Sequence, residues 1–147
     1  MKAQPILMVA LVAVLLVSGA SSLTLGASVP QKSTVEVTID EFYSTKHITK
    51  YIEVSAGGVL TVGLGSNPTT GFRWTNLTVL GDPGILQEIE NKYLLPQEKG
   101  IVGAAGTEVW VFRIRQKGTA TINMEYSRPW ESGEKGEWTF KLTVNVK

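Results

Sequence analysis

Apolar and polar residues alternate with a period of two through most of the chain beyond residue 34. The same alternation runs through 120–126 and, over shorter spans, through 35–39 and 60–64. Side chains two residues apart on a strand share a face, so the pattern predicts strands with one buried and one solvated face. The clearest strand candidate is 138–146, whose buried face would carry Trp138, Phe140, Leu142, Val144 and Val146.

Turn sequences separate these stretches at intervals of about ten residues. Asp82-Pro83-Gly84 and Lys117-Gly118 combine residue types that favour turns. Two further strand candidates are 85–95 and 107–116, and the second is rich in β-branched and aromatic residues. Seven or eight short strands of this kind predict an all-β fold, an antiparallel β-sandwich or barrel.

The first residues have the composition of a secretory signal peptide. Residues 6–17 are an unbroken apolar run, and Ser18-Gly19-Ala20 supplies small residues for cleavage. As a helix this run would span roughly 18 Å, which is shorter than a hydrocarbon core of about 30 Å. We therefore expect a signal peptide at 1–20, a flexible lead-in at 21–33 and a secreted or extracytoplasmic domain at 34–147. The alternative is an uncleaved membrane anchor that extends to Leu23.

The sequence contains no cysteine, although export usually favours disulfides. The domain must therefore be stabilised by its hydrophobic core, for which a chain of this length suffices. Fourteen basic and thirteen acidic residues give a formal net charge of +1, so no basic surface suggests nucleic acid. We expect a monomer with no nucleic-acid partner, and no membrane contact once the signal is removed.

The residues that common catalytic sites require are missing. The single histidine, His47, lies in a polar stretch beside Lys46, where a surface role is the simplest interpretation. No HExxH, G-x-S-x-G or P-loop motif occurs, and the carboxylates are scattered. Asp40 and Glu41 are adjacent, but adjacent residues on a strand point to opposite faces. We expect no catalytic residue, no metal and no cofactor.

The first loop, 67–72, joins two strand candidates and carries no charge. Pro68 fixes its own φ and pushes Asn67 toward extended geometry. Two stiff β-branched threonines follow, and Gly71 permits a left-handed conformation. Alone, this stretch suits either an ordinary solvated turn or a pre-shaped binding loop. Asn76-Leu77-Thr78, on the strand after it, is an N-glycosylation sequon.

Two other loops are unusual. The second loop, 100–106, consists of glycines and small apolar residues, and the third loop, 127–131, contains Arg128-Pro129-Trp130. Tryptophan and arginine are enriched at binding hot spots; the alternative is that Trp130 folds back onto the sandwich. If the strands alternate up and down, all three loops lie at one end and can build a composite binding surface.

The three loops together resemble the signature loops of chagasin-type inhibitors of papain-like cysteine peptidases. The resemblance covers about 35–147 and rests, in order, on Asn67-Pro68-Thr69-Thr70-Gly71-Phe72, Gly103-Ala104-Ala105-Gly106-Thr107-Glu108 and Arg128-Pro129-Trp130. Glu90-Asn91-Lys92-Tyr93 is similar too. The resemblance implies an immunoglobulin-like β-sandwich, in agreement with the strand count. Ala105 departs from the family, in which glycine is usual, and would be costly if the position needs a positive φ.

The resemblance further implies an inhibitor whose loops occlude the active-site cleft of a papain-like cysteine peptidase. We expect it to be secreted because of its apolar N-terminal run, and its complex to be reversible and non-covalent because the chain offers no reactive group. Thr69 would lie against the catalytic Cys–His pair, the second loop would lie along the substrate cleft, and Trp130 would pack on the other side. Two other classes stay open: a cell-surface adhesion or carbohydrate-binding module that uses the same loops, and an enzyme. The peptidase-binding residues implied are Asn67, Pro68, Thr69, Thr70, Gly71, Phe72, Gly103, Ala104, Ala105, Gly106, Arg128, Pro129 and Trp130.

Overall fold

The structure is a computed structural model that describes residues 29–96 and 103–147. This part of the chain contains eight strands, one short α-helix and one 3-10 turn. In chain order the elements are β1 (Lys32–Val37), α1 (Ile39–Ser44), β2 (His47–Val54), β3 (Val59–Ser66), the 3-10 turn (Pro68–Thr70), β4 (Arg73–Gly81), β5 (Leu86–Leu94), β6 (Gly106–Ile114), β7 (Gly118–Ser127) and β8 (Trp138–Val146).

The strands form two four-stranded sheets. One sheet has the order β1-β3-β6-β5 and the other has the order β2-β8-β7-β4. Buried apolar residues from both sheets form a single core cluster between them. This arrangement confirms the predicted all-β sandwich, because two open sheets with one shared core leave no closed barrel.

Both sheets are mixed, whereas the sequence predicted antiparallel pairing. β1 pairs with β3 in parallel, and β2 pairs with β8 in parallel. The other pairs are antiparallel. The reason is that the chain crosses between the sheets: β2 lies in the opposite sheet, so two reversals separate β1 from β3 and both run in the same direction.

The pairings fix the strand directions within each sheet, and contacts of the connection after β3 with those after β5 and β7 relate the two sheets. Together they make successive strands alternate in direction from β1 to β8. The connections after β1, β3, β5 and β7 therefore lie at one end of the sandwich. The first, second and third loops follow β3, β5 and β7, respectively. The three loops share one end of the molecule, as predicted, and α1 lies at the same end because it follows β1.

The first stretch with strand alternation, 35–39, ends in the helix α1, which begins at Ile39. Thr38 caps this helix: its Oγ1 accepts a hydrogen bond from the Glu41 backbone N–H at 3.3 Å, and the Glu41 carboxylate accepts one from the Thr38 N–H at 2.7 Å. Such a reciprocal capping box stabilises a helix start. The bond from the Thr38 backbone also lowers the pKa of Glu41. The prediction of Ile39 as a strand residue was therefore wrong, and Asp40 and Glu41 lie in a helical turn.

A row of aromatic rings fills the core beneath the loop end. Phe42 of α1 stacks on Trp138 with ring centroids 5.3 Å apart, Trp138 stacks on Tyr126 at 4.5 Å, and Tyr126 stacks on Phe72 at 5.4 Å. The row connects α1 to the first loop through the core of the sandwich.

The predicted core faces of β7 and β8 are confirmed, because all of their members are buried: Ala120, Ile122, Met124, Tyr126, Trp138, Phe140, Leu142, Val144 and Val146.

The predicted signal peptide, 1–20, lies outside the described residues. Within 29–96 and 103–147, no helix is both long and apolar enough to cross a membrane. β1 begins with Lys32 and Ser33, which pair with Val59 and Leu60 of β3. The last two residues assigned to the lead-in therefore belong to the first strand.

Candidate functional site

The first loop is held in shape by its own hydrogen bonds. The Asn67 side-chain oxygen accepts bonds from the Thr69 N–H at 3.3 Å and from the Thr69 hydroxyl at 2.6 Å. The Thr70 hydroxyl donates to the Asn67 carbonyl at 2.7 Å, and Gly71 closes the turn with φ 80°. These bonds leave Pro68, Thr69 and Thr70 exposed at the end of the sandwich. The loop is a short, uncharged projection with little freedom to rearrange.

The second loop is joined to the first by Asn67. The Nδ2 of Asn67 donates a hydrogen bond of 2.8 Å to the carbonyl of Gly103. Three residues later, Gly106 lies so close to the Leu94 carbonyl and the Tyr93 ring that any Cβ at this position would collide with them. The side-chain oxygen of Asn67 therefore shapes the first loop, and its side-chain nitrogen holds the second loop.

The described part of the second loop is 103–106, since 97–102 lie outside the described residues. Gly103 is exposed, and Ala104, Ala105 and Gly106 are half-buried. Ala104 and Ala105 line a cavity of about 710 Å³ over the outer face of the first sheet. The effect of alanine instead of glycine at position 105 stays a prediction.

Arg128 links the third loop to the first. Its guanidinium carbon lies 4.4 Å from the ring centroid of Phe72, and its Nη2 donates to the Thr70 carbonyl at 3.4 Å. A second ring, that of Trp130, lies 6.0 Å from the same guanidinium. An arginine above aromatic rings gains cation–π stabilisation, and here the contact joins two loops. Glu134, further along the connection, lies 3.9 Å from Nη1.

Trp130 packs against the first loop and still presents half of its surface. Its side chain is 50% exposed, and its Cη2 lies only 2.7 Å from the position that a Cβ on Gly71 would take. Backbone hydrogen bonds from Gly133 to Trp130, at 2.9 Å, and from Arg128 to Glu134, at 2.8 Å, hold the connection. The alternative that Trp130 folds back is realised in part: the ring lies against Gly71 and Gly133, and half of the side chain stays exposed.

Phe72 has a different position from the other predicted binding residues. Its side chain is only 9% exposed and belongs to the core cluster, between the Tyr126 ring and the Arg128 guanidinium. Pro129 and Trp130, in contrast, are exposed. The structure therefore brings all three sets of predicted residues together at one end, with Phe72 beneath the surface as their support.

Two tyrosines that sequence reasoning did not assign to the site hold the loops from below. The Tyr126 hydroxyl accepts a 2.7 Å hydrogen bond from the Asn67 N–H, and burial raises the pKa of this phenol. The Tyr93 hydroxyl lies 3.5 Å from the Ser66 carbonyl, at the start of the first loop. A tyrosine at a core position of an alternating strand is a usable signal, because its buried hydroxyl needs a polar partner.

The arrangement suits recognition rather than bond breaking. The exposed residues of the first loop are uncharged, and the charges of Arg128 and Glu134 beside it are paired with each other. His47 lies on an exposed strand position, where its Nδ1 and the Thr139 hydroxyl are 3.0 Å apart. Within the described residues, no group of three or more histidine, aspartate or glutamate side chains could hold a metal ion.

Comparison with known sequences identifies a family over most of the described domain. Residues 53–144 match the family described as "Chagasin family peptidase inhibitor I42", and this range contains all three loops. Chagasin of Trypanosoma cruzi is 37% identical over 98 residues, which cover 64% of this chain and 88% of chagasin. Amoebiasin-2 of Entamoeba histolytica is 31% identical over 96 residues, which cover 65% of this chain and 76% of that protein.

Solved structures share the fold. The cysteine protease inhibitor EhICP2 from Entamoeba histolytica matches with a TM-score of 0.62 at 24% identity, over 80% of this chain and 99% of that one. PbICP-C, solved in complex with falcipain-2, matches with a TM-score of 0.55 at 20% identity, over 78% of this chain and 99% of that one. From the family match and the chagasin relatives, the chain belongs to the chagasin family of cysteine peptidase inhibitors and is not an enzyme.

Proposed function

We propose that this domain inhibits papain-like cysteine peptidases by placing its three loops together over the active-site cleft, in a reversible and non-covalent complex. The observation that carries the proposal is the direct contact among the loops. Asn67 bonds to Gly103, and Arg128 bonds to Thr70. One rigid surface can then contact the enzyme without first being assembled, which lowers the entropy cost of binding.

The first loop is suited to enter the cleft. Its exposed residues, Pro68, Thr69 and Thr70, bring no charge that would have to be desolvated. Thr69 would lie against the catalytic Cys–His pair, as the resemblance to chagasin-type inhibitors implies. The loop offers no thiol or other activated nucleophile, so the contact is expected to leave both chains chemically unchanged.

The other two loops would flank it. The second loop can offer backbone hydrogen bonds along the substrate cleft, in the way that an extended peptide does. Trp130 presents a large, partly exposed ring beside the first loop, of the type most enriched at binding hot spots. The solved complex of PbICP-C with falcipain-2 supports a peptidase partner for this chain.

The test is a titration of the purified domain, 21–147, against papain. Trp130→Ala should weaken inhibition by on the order of 2 kcal/mol, about thirtyfold, mostly through faster dissociation. Thr69→Asp should weaken it more, because the carboxylate would enter a cleft with little water and no partner. Thr49→Asp is the matched control, since Thr49 is exposed on β2 opposite Lys141. Full inhibition by the double variant Thr69→Asp/Trp130→Ala would falsify the proposal.

We also propose that the protein is exported and that cleavage follows Ala20. The support is the apolar run at 6–17 with small residues after it. Protein recovered outside the cell should begin at Ser21 when its N-terminus is sequenced. Recovery at full length, only in washed membranes, would support an anchor instead.

A further inference from the structure

An exposed aromatic side chain outside the three loops shares their end of the molecule. Tyr43 of α1 is 66% exposed, yet its ring is held edge-on against Trp138, with centroids 5.4 Å apart and an interplanar angle of 86°. A tyrosine ring provides a large contact area at low entropy cost when it is already fixed. Tyr43 is therefore an exposed ring that needs little ordering to make a contact.

The helix that carries Tyr43 is fixed by a cap at its start and by packing against the core. The capping box of Thr38 and Glu41 holds its start. The residue before Tyr43, Phe42, is fully buried and stacks on Trp138 at an interplanar angle of 12°. Because Trp138 continues through Tyr126 to Phe72, α1 and the first loop rest on one row of packed rings.

The sheet order gives α1 a defined position relative to the loops. β3 leads into the first loop, and its neighbours in the sheet are β1 and β6. β1 leads into α1, and β6 begins where the second loop ends. The first loop is thus flanked by the second loop on one side and by α1 on the other. A partner that extends beyond the first loop on the β1 side of the sheet therefore meets α1.

A cavity of about 280 Å³ lies between α1 and the loops. Tyr43, Asn67, Thr70, Arg128 and Glu134 line it, over a floor of core aromatic rings. Its volume is at the lower limit of small-molecule sites, so it fits a single side chain better than a free ligand. The carboxylates that line it have cationic neighbours: Lys46 is 2.5 Å from Glu137, and Arg128 is 3.9 Å from Glu134. A partner that covers the cavity therefore leaves neither carboxylate without a cationic neighbour.

We propose that Tyr43 and this cavity form a fourth contact of the inhibitor, which binds the rim of the same peptidase beside its cleft. The inference rests on the proposed function, because it takes the first loop as the part that enters the cleft. Aromatic walls with carboxylates beside them accept a rim side chain that has an apolar stem and a hydrogen-bond-donating end. This contact continues the three-loop surface across α1.

The experiment compares two exposed tyrosines of the domain in papain titrations. Tyr43→Ala should weaken inhibition by on the order of tenfold, the effect of losing one interface tyrosine. Tyr51→Ala is the matched control, because Tyr51 is 61% exposed but lies on β2, outside the loop end. Tyr43→Phe keeps the ring and should retain most of the inhibition. Thermal unfolding of each variant checks that the fold is intact.

Hydrogen exchange of the complex provides a second readout. Backbone amides of 39–44 should exchange more slowly when papain is bound, and those of β2 around Tyr51 should not change.

The outcomes separate the two proposals. If Tyr43→Ala inhibits as well as the unmodified domain while Thr69→Asp does not, the fourth contact is wrong and the three-loop mechanism stands. If neither variant loses inhibition, the three-loop mechanism fails and the fourth contact fails with it.

Discussion

The ring of Trp130 occupies the space where a side chain at position 71 would lie. Gly71 has a φ of 80°, and a Cβ there would be 2.7 Å from Trp130 Cη2. Position 71 therefore favours glycine for two separate reasons: its backbone is left-handed, and the Trp130 ring leaves no room for a Cβ. The absence of a side chain at Gly71 lets the Trp130 ring lie against the first loop.

We expect Gly71→Ala to weaken papain inhibition by about tenfold, because displacing Trp130 removes part of a hot-spot contact. The strained φ should also lower the free energy of unfolding by about 1 kcal/mol. Gly57→Ala is the control: Gly57 has a φ of 83°, but a Cβ there meets nothing within 4 Å. Both variants should lose stability, and only Gly71→Ala should lose inhibition. Equal inhibition by the two would mean that the Trp130 contact is unimportant.

The position of Glu108 predicts that the stability of the domain depends on pH. It lies on β6 opposite buried Leu64, and burial raises its pKa above 4.5, although Asn91 and Arg73 act in the opposite direction. A raised carboxyl pKa favours folding when the group is protonated. The stability it contributes is therefore complete below the unfolded pKa and is lost as pH rises through the folded pKa.

The prediction is that Glu108→Gln gains stability relative to the unmodified domain as pH rises from below 4.5 to neutral. Urea unfolding of both proteins across this range measures the difference. A difference that stays constant with pH would show that the Glu108 carboxyl has the same pKa in the folded and unfolded chains.

At the scale of elements, β8 and the third loop carry two tryptophans with separate roles. Trp138, at the start of β8, is 6% exposed and lies in the middle of the aromatic row, in contact with Tyr126 and Phe42. Trp130 is 50% exposed and contacts the first loop. The same residue type therefore stabilises the fold at one position and presents a binding surface at the other.

We expect Trp138→Ala to lower the free energy of unfolding by roughly 3–5 kcal/mol, as for large aromatic residues removed from a core. Trp130→Ala should change it much less while it weakens inhibition. Chemical denaturation and papain titration of both variants measure the two effects. A loss below about 1 kcal/mol for Trp138→Ala would contradict its place in the core.

Strand patterns could be predicted well because each depends on local alternation. The faces of β7 and β8 are read directly from residues two apart, and the shared end of the loops follows from counting strands. The helix α1 was missed because Val35, Val37 and Ile39 fit a strand. Thr38-Ile39-Asp40-Glu41 nevertheless carries the capping-box pattern. The local signal for a helix was present and was outweighed by apolar residues with a period of two.

Contacts between distant residues could not be predicted in the same way. Asn67 is 36 residues from Gly103, and Tyr126 is 59 residues from Asn67. Such pairs depend on how the sheets stack, which no local pattern specifies. The predicted site therefore contained the residues at the surface of the loops and omitted Tyr93 and Tyr126, which support them.

At the scale of the whole molecule, one core between two sheets stabilises the domain without disulfide cross-links. The sequence contains no cysteine, and buried apolar residues from both sheets form a core cluster. We expect the thermal unfolding midpoint of the domain to be the same with and without a thiol reductant. A shift on adding reductant would contradict a fold stabilised by its core alone.

The alternating strand directions place both ends of the described domain at the far end of the sandwich, opposite the loops. There, the Val59 N–H at the start of β3 donates to the Gln31 carbonyl at 2.9 Å, and the Ala56 N–H in the turn before β3 donates to the Lys147 carbonyl at 3.3 Å. A bead, a dye or a second copy fused at either position would leave the loops pointing into solvent. Two copies joined there by a flexible linker should be able to hold two peptidase molecules at once.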